Sequence, residues 1–199
     1  MSISFEQKVV ILSGPSGTGK TTLMKHLLNS SLGKILGFSI SATTRKPRPN
    51  EREGIDYFFL SLKDFENKIH EDAFLEWEEV YPGIRYGTLW TQIENLRKTQ
   101  KHILFDIDVK GSLRLKNRFK NTCRSYFISL SNPKKVLIQR LETRNIHSPK
   151  SLKERINRVE WELSKKDSFD EIIVNDDLGT TQKRLIESVA RFLGLNPSP

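Results

Sequence analysis

The chain has 199 residues, 36% of them hydrophobic and 29% charged, which is enough for one well-buried domain, and no stretch approaches the length needed to cross a bilayer. Its single cysteine, Cys123, excludes an intramolecular disulfide, and no signal-like apolar run follows the N-terminus, so a reducing, cytoplasmic setting is the expectation. The formal net charge of +9 admits nucleic acid, an acidic membrane surface or small polyanions, but the basic residues are spread along the chain and the densest cluster, Lys116 to Arg124, lacks the aromatics on which bases stack.

The stretch from Lys8 to Ser13 reads as a buried strand, and Lys20 to Leu28 as a helix with Leu23 and Leu27 on one face. Short strands follow at Ile35 to Ile40 and Tyr57 to Ser61, then a short helix from Leu62, a strand near Phe74 to Val80, and a helix from about Leu89 to Thr99. "HILFDID" (His102 to Asp108) is a strongly apolar strand ending in acids, with a helix from about Gly111. Ser125 to Leu130 is another buried strand. Helices follow from Pro133 and over Ser151 to Lys165, where Leu152, Ile156, Val159 and Leu163 form one stripe. Glu171 to Asn175 is the last strand, and the final helix runs to about Leu193. The four strands starting near Lys8, His102, Ser125 and Glu171 are continuous apolar runs alternating with helices, the pattern of a parallel sheet covered on both faces. The fold class is therefore α/β. The stretch from Ser41 to Thr88, richer in aromatics and turns, reads as a small α+β insertion.

"GPSGTGKTT" comprises Gly14, Pro15, Ser16, Gly17, Thr18, Gly19, Lys20, Thr21 and Thr22, and matches G-x-x-x-x-G-K-[ST] between a strand and a helix. Glycines let backbone N–H groups converge on phosphate oxygens, and the helix start adds its positive dipole end. Lys20 is expected to bridge β- and γ-phosphates and Thr21 to ligate Mg²⁺. Asp106, after three apolar residues at a strand end, has the place of a Walker-B acid that holds the metal or its waters. Asp108, two residues on, would project from the same face if the strand continued. In "SATTRKPRP" (Ser41 to Pro49), Arg45 and Arg48 share a proline-stiffened loop. They hold an anion, or else form a surface turn paired with Glu51 or Glu53.

The phosphate loop, "TTRKPRPNEREGIDYFF", "FLEW", "YGT", "DID" and "VNDD" occur in the order and spacing of guanylate kinases, and the resemblance covers nearly the whole chain. It implies ATP + GMP ⇌ ADP + GDP with Mg²⁺, and a single domain over 1–199. The core would comprise 1–40, 89–139 and 167–199, with a GMP-binding insertion at 41–88 and a lid at 140–166. The resemblance also implies that Arg45 and Arg48 clamp the GMP phosphate, assisted by the hydroxyls of Tyr57 and Tyr86. Glu76 would accept from guanine N1–H and the N2 amine, with Ser41, Thr88 and Asp108 also at the base. Arg140, Arg144 and Arg155 would close over ATP and the transferring phosphoryl group, and Asn175 would lie near the adenine. No side chain is needed as a nucleophile. Partners beyond ATP and GMP are not expected, neither nucleic acid nor membrane, and monomer or homodimer stays open. The chain departs from the usual pattern at Asn50, Ile84, Arg85, Leu89, Lys110 and Asn145. A catalytically silent interaction module and a P-loop kinase for another phosphorylated acceptor are the competing readings; the intact Lys20 and Thr21 speak against the first, Glu76 and the arginine loop against the second.

Overall fold

Val9, Val10, Ile11 and Leu12 are buried without alternation, because the strand they form lies inside a sheet covered on both faces. Val10 and Leu12 pack with Leu23, Leu27, Leu185 and Val189. Val9 and Ile11 pack on the other side with Ile93, Phe105 and Leu115. The structure is a computed structural model that describes residues 5–137 and 149–195.

In chain order the elements are β1 (Val9–Ser13), α1 (Lys20–Asn29), β2 (Leu36–Phe38), β3 (Ser41–Thr43), β4 (Phe58–Phe59), α2 (Leu62–His70), β5 (Phe74–Tyr81) and β6 (Ile84–Leu89). They continue with α3 (Trp90–Lys98), β7 (His102–Asp106), α4 (Val109–Phe119), β8 (Cys123–Ser129), α5 (Pro149–Ser164), β9 (Glu171–Val174) and α6 (Leu178–Leu193). Residues 133–137 are also helical. Five strands form a parallel sheet in the order β2-β7-β1-β8-β9. The chain reverses direction across this sheet at β1, and the crevice beyond the carboxyl ends of β1 and β7 is where such sheets bind ligands. A separate sheet has the order β4-β3-β6-β5, with β3 antiparallel to β6 and β6 antiparallel to β5. Its β5–β6 turn is Pro82–Gly83, where Gly83 supplies a φ of 74° that a residue with a Cβ would resist. Phe65 of α2 is fully buried and stacks on Phe74 at 4.4 Å between ring centroids, fixing that helix to the second sheet.

The observed α/β architecture matches the expected one, but boundaries moved where turn chemistry intervened. The strand from His102 stops at Asp106, and Asp108 instead caps α4, its Oδ1 accepting from Lys110 N at 2.9 Å and Gly111 N at 3.2 Å. Asp106 and Asp108 are therefore not a same-face pair on one strand, and α4 begins before Gly111. Strands β3 and β6 were absent from the periodicity reading; both are short or polar and are defined by pairing with each other. Among the described residues no helix is long and apolar enough to cross a membrane.

Candidate active site

Sequence dictates the phosphate-loop half directly. β1 ends at Ser13, and the chain must turn at once to start α1 at Lys20. Gly14, Gly17 and Gly19 have φ values of 131°, 94° and 91°. The turn is also tight: a Cβ on Gly14 would lie 2.3 Å from the Ile128 carbonyl oxygen, and one on Gly19 would lie 2.4 Å from Asn175 Nδ2. Thr18 closes the loop on itself, its Oγ1 donating to Pro15 O at 3.0 Å. Lys20 folds back over the loop, its Nζ donating to Gly14 O at 2.7 Å and Pro15 O at 3.0 Å. Thr21 Oγ1 donates to Asp106 Oδ2 at 3.0 Å, joining the helix start to the end of β7. Burial pushes the Asp106 carboxyl up, against the charge of Lys20 and the bond from Thr21. Asn175, just past β9, donates from Nδ2 to Thr18 O at 2.8 Å, and its Oδ1 is buried without a partner among the described residues.

The other half of the candidate site is written across three strands. Register places Ser41 opposite Thr88 and Thr88 opposite Glu76, so these three side chains form one row on one face. Thr88 Oγ1 donates to Glu76 Oε1 at 2.9 Å, and Thr88 and Ser41 are buried. Burial pushes the Glu76 carboxyl up to about 7; Thr88 and Arg114 oppose this, and the Asp108 carboxylate adds to it. Glu76 and Asp108 converge at the start of α4: a Cβ on Gly111 would lie 2.9 Å from Glu76 Oε2 and 3.5 Å from Asp108 Oδ2. Two residues along β6, Tyr86 OH accepts from Arg45 Nε at 3.1 Å, and strand period puts it on the same face as Thr88. The Arg45 guanidinium lies 5.3 Å from the Tyr57 ring centroid and 5.9 Å from that of Phe59. Burial and the Asp106 charge push the Tyr57 hydroxyl up, so it stays protonated and lies within electrostatic reach of the end of β7.

The two arginines do not share one environment. Arg45 forks onto Glu51, with Nη1 to Oε2 and Nη2 to Oε1 both at 2.9 Å, each side chain 15% exposed. Arg48 is 66% exposed; its backbone N–H donates to Glu51 Oε2 at 2.8 Å and its guanidinium lies 3.7 Å from Oε1. Of the two expectations for the loop, the pairing with Glu51 is what the structure shows; Arg45 also lies against Tyr86 and Tyr57. Burial works against Glu51, yet the bonds from Arg45 and the Arg48 N–H hold its carboxyl below the usual range.

On α5, Arg155 lies with its guanidinium 5.3 Å from the ring centroid of Tyr81, the last residue of β5. Arg140 and Arg144 lie outside the described residues.

A sequence model of the guanylate kinase family matches residues 6–191. The chain belongs to the guanylate kinase family. It is 41% identical to a guanylate kinase of Bacteroides fragilis over 193 residues, covering 96% of this chain and 92% of that one. It is 43% identical to a guanylate kinase of Chlorobaculum tepidum over 186 residues, covering 94% and 93%. The crystal structure of guanylate kinase from Anaplasma phagocytophilum superposes with a TM-score of 0.69 at 25% identity, covering 93% of this chain and 85% of that one. Within this guanylate kinase framework, two of the unusual residues have evident roles. Lys110 Nζ donates to Glu78 Oε1 at 2.6 Å, and Arg114 Nη2 donates to Glu78 Oε2 at 2.6 Å, tying α4 to β5. Arg85 pairs with Glu66 at 3.0 Å and Glu79 at 3.4 Å. Sequence reasoning missed Glu51 as a site residue, although it weighed the pairing. It also missed Arg158 and Glu162, whose spacing of four on a helix was a readable signal.

Proposed function

We propose that this guanylate kinase, an ATP:GMP phosphotransferase, works by holding two nucleotides against the facing halves just described. The phosphate loop, Gly14 to Thr22, cradles ATP with its backbone N–H groups, and the unpartnered Asn175 Oδ1 offers an acceptor to the adenine amine. Lys20 exchanges the Gly14 and Pro15 carbonyls for β- and γ-phosphate oxygens. Thr21 and Asp106 are hard oxygen donors already in contact, and they fit Mg²⁺, a cation that takes one or two protein oxygens and completes its shell with phosphate and water. Bound there, Mg²⁺ would neutralise charge between the β- and γ-oxygens.

The acceptor enters over the row Ser41–Thr88–Glu76. Glu76 as a carboxylate accepts from guanine N1–H and N2–H, with Ser41 and Thr88 near O6 and Asp108 beside Glu76. An adenine would present a lone pair to that half-buried acid, and sites built to bond a substrate group reject analogues lacking it by about 10⁴-fold in favourable cases. Arg45 and Arg48 take the acceptor phosphate with Tyr57 and Tyr86, its dianion replacing Glu51 as the counter-charge. The phosphate oxygen is itself the nucleophile, so the side chains supply position and positive charge and no covalent intermediate forms. Arg140, Arg144 and Arg155, in the lid at 140–166, add charge neutralisation at the transferring group, and the insertion at 41–88 carries the acceptor.

The observation that carries this reading is the cross-strand row ending in a half-buried carboxylate bonded by Thr88, one register step from an arginine–tyrosine cluster. A coupled ADP-release assay comparing GMP, AMP, UMP and sugar phosphates tests it. Turnover with GMP alone is expected. Equal or better turnover with another acceptor would overturn the base assignment, and none at all with a folded protein would favour a silent binding module.

A further inference from the structure

One arginine outside both half-sites touches three elements at once. Arg158 projects from α5 with its side chain 20% exposed. Its Nε donates to Glu162 Oε1 at 3.0 Å, one helical turn along. Its Nη1 donates to the Val80 carbonyl of β5 at 3.0 Å, and its Nη2 lies 3.6 Å from Asp108 Oδ1 at the cap of α4. The guanidinium also lies 5.5 Å from the Tyr81 ring centroid, next to that of Arg155. A planar fork can serve three acceptors in this way, whereas a lysine ammonium is a point charge on a flexible stem.

Asp108 shares the space above Gly111 with Glu76, and the Asp108 charge is felt by Glu76. Left alone, two carboxylates this close repel, and Asp108 could relieve the repulsion by swinging away from its cap. On the other side, Glu162 is 5% exposed and lies within reach of both the Arg158 and Lys20 charges. Charges of alternating sign therefore run from Lys20 through Glu162 and Arg158 to Asp108, which then meets the second acid, Glu76.

We propose that Arg158 is a positioning residue for the acceptor base, fixing Asp108 and the Val80 end of β5 so that Glu76 and Asp108 keep the spacing that reads the guanine N2 amine. This rests on the reading of Glu76 and Asp108 as the guanine-edge acceptors. Through Glu162 the same side chain ties that spacing to α5, the helix that carries Arg155. It touches no substrate atom; it acts through the two acids.

The test compares GMP with IMP, which lacks the N2 amine, in steady-state kinetics of Arg158→Met, Arg158→Lys and Glu76→Gln. Arg158→Met should lower the GMP-over-IMP preference in kcat/KM by about tenfold, the worth of one charge-assisted bond, with the KM for ATP unchanged. Arg158→Lys should recover part of the preference. Equal losses for GMP and IMP would mean Arg158 merely stabilises the fold, and would overturn the proposal; an unchanged preference in Arg158→Met would do the same. If Arg158→Met does not fold, Arg158→Lys is judged alone, and it must lose preference without losing thermal stability. Loss of preference in Glu76→Gln but not at Arg158 sinks this proposal alone, whereas a Glu76→Gln variant that keeps the full preference sinks the base assignment and this proposal with it.

Discussion

Glu76→Gln should make the protein more stable and the enzyme worse. In the free protein the Glu76 carboxyl is raised from its ordinary 4.5 to about 7, mainly by burial. The folded state therefore binds this proton more tightly than the unfolded chain does. The penalty is absent below pH 4.5, grows as pH rises towards 7, and is constant above it. At pH 8 it amounts to about 3 kcal/mol, less roughly 1 kcal/mol for burying the new amide, although Asp108 lies close enough to accept from it. The glutamine oxygen keeps the bond from Thr88. For a chain of this size the gain corresponds to a rise in Tm of on the order of 5 °C at pH 8, and none at pH 4.5. The same proton competes with guanine. The parent KM for GMP should rise about tenfold per pH unit well below 7, beyond the titration of the GMP phosphate itself, and Glu76→Gln should lack that extra slope. Thermal melts and initial rates across pH check both arms. A Tm difference that is absent at pH 8, or equal at both pH values, refutes the argument from a buried carboxylate.

Lys20→Ala should lower kcat by about 10³-fold or more while GMP still binds, measured by calorimetry, since the acceptor row does not contact Lys20; wild-type turnover would remove the lysine from the mechanism. Glu51→Gln leaves the Arg45 fork without its anion and should cost about 1 kcal/mol in the free protein. Saturating GMP should shrink that deficit in thermal melts, because the phosphate takes the place of the carboxylate; a deficit that GMP leaves untouched would place Glu51 outside the site. Gly19→Ala should weaken ATP binding through both a φ of 91° and a Cβ set 2.4 Å from Asn175 Nδ2. Adding Asn175→Ala removes the clash but not the backbone strain, so the double variant should regain only part of the ATP affinity, and full recovery would mean that φ is not the constraint.

What the sequence made legible followed from how local each cause is. The phosphate loop needs glycines at fixed offsets between a strand and a helix, and that requirement is visible in nine consecutive residues. The buried strands announced themselves by unbroken apolar runs. Asp106 was placed correctly because its strand ends where the apolar run ends. Asp108 was not placed correctly, because a capping side chain and a strand residue look alike until the helix boundary is known. Strands β3 and β6 exist through pairing over more than 40 residues, a separation that no local pattern encodes. Glu76 illustrates the same limit. Nothing intrinsic separates it from Glu78 and Glu79, yet register puts Glu76 opposite Thr88 and Glu78 opposite Tyr86, and the Glu78 carboxylate is taken by Lys110 and Arg114 of α4. Arg158 was passed over because its partners lie on three different elements, only one of which shares its helix.

In the free protein, four groups that the proposed mechanism uses already have a protein partner. Lys20 rests on two loop carbonyls, Arg45 on Glu51, Thr21 on Asp106 and Glu76 on Thr88. Substrate binding therefore exchanges bonds rather than adding them, and the net gain at each position is small when the fit is good. The cost of a poor fit is larger, because a displaced Glu51 would keep only the Arg48 N–H and a deprotonated Glu76 only the Thr88 hydroxyl. Such an arrangement raises discrimination more than affinity. On the proposed base assignment it also accounts for an acid held near its own titration point: a carboxylate that is half protonated at neutral pH tolerates the empty site, and a ligand carrying two adjacent N–H donors recovers the full interaction of the charged form.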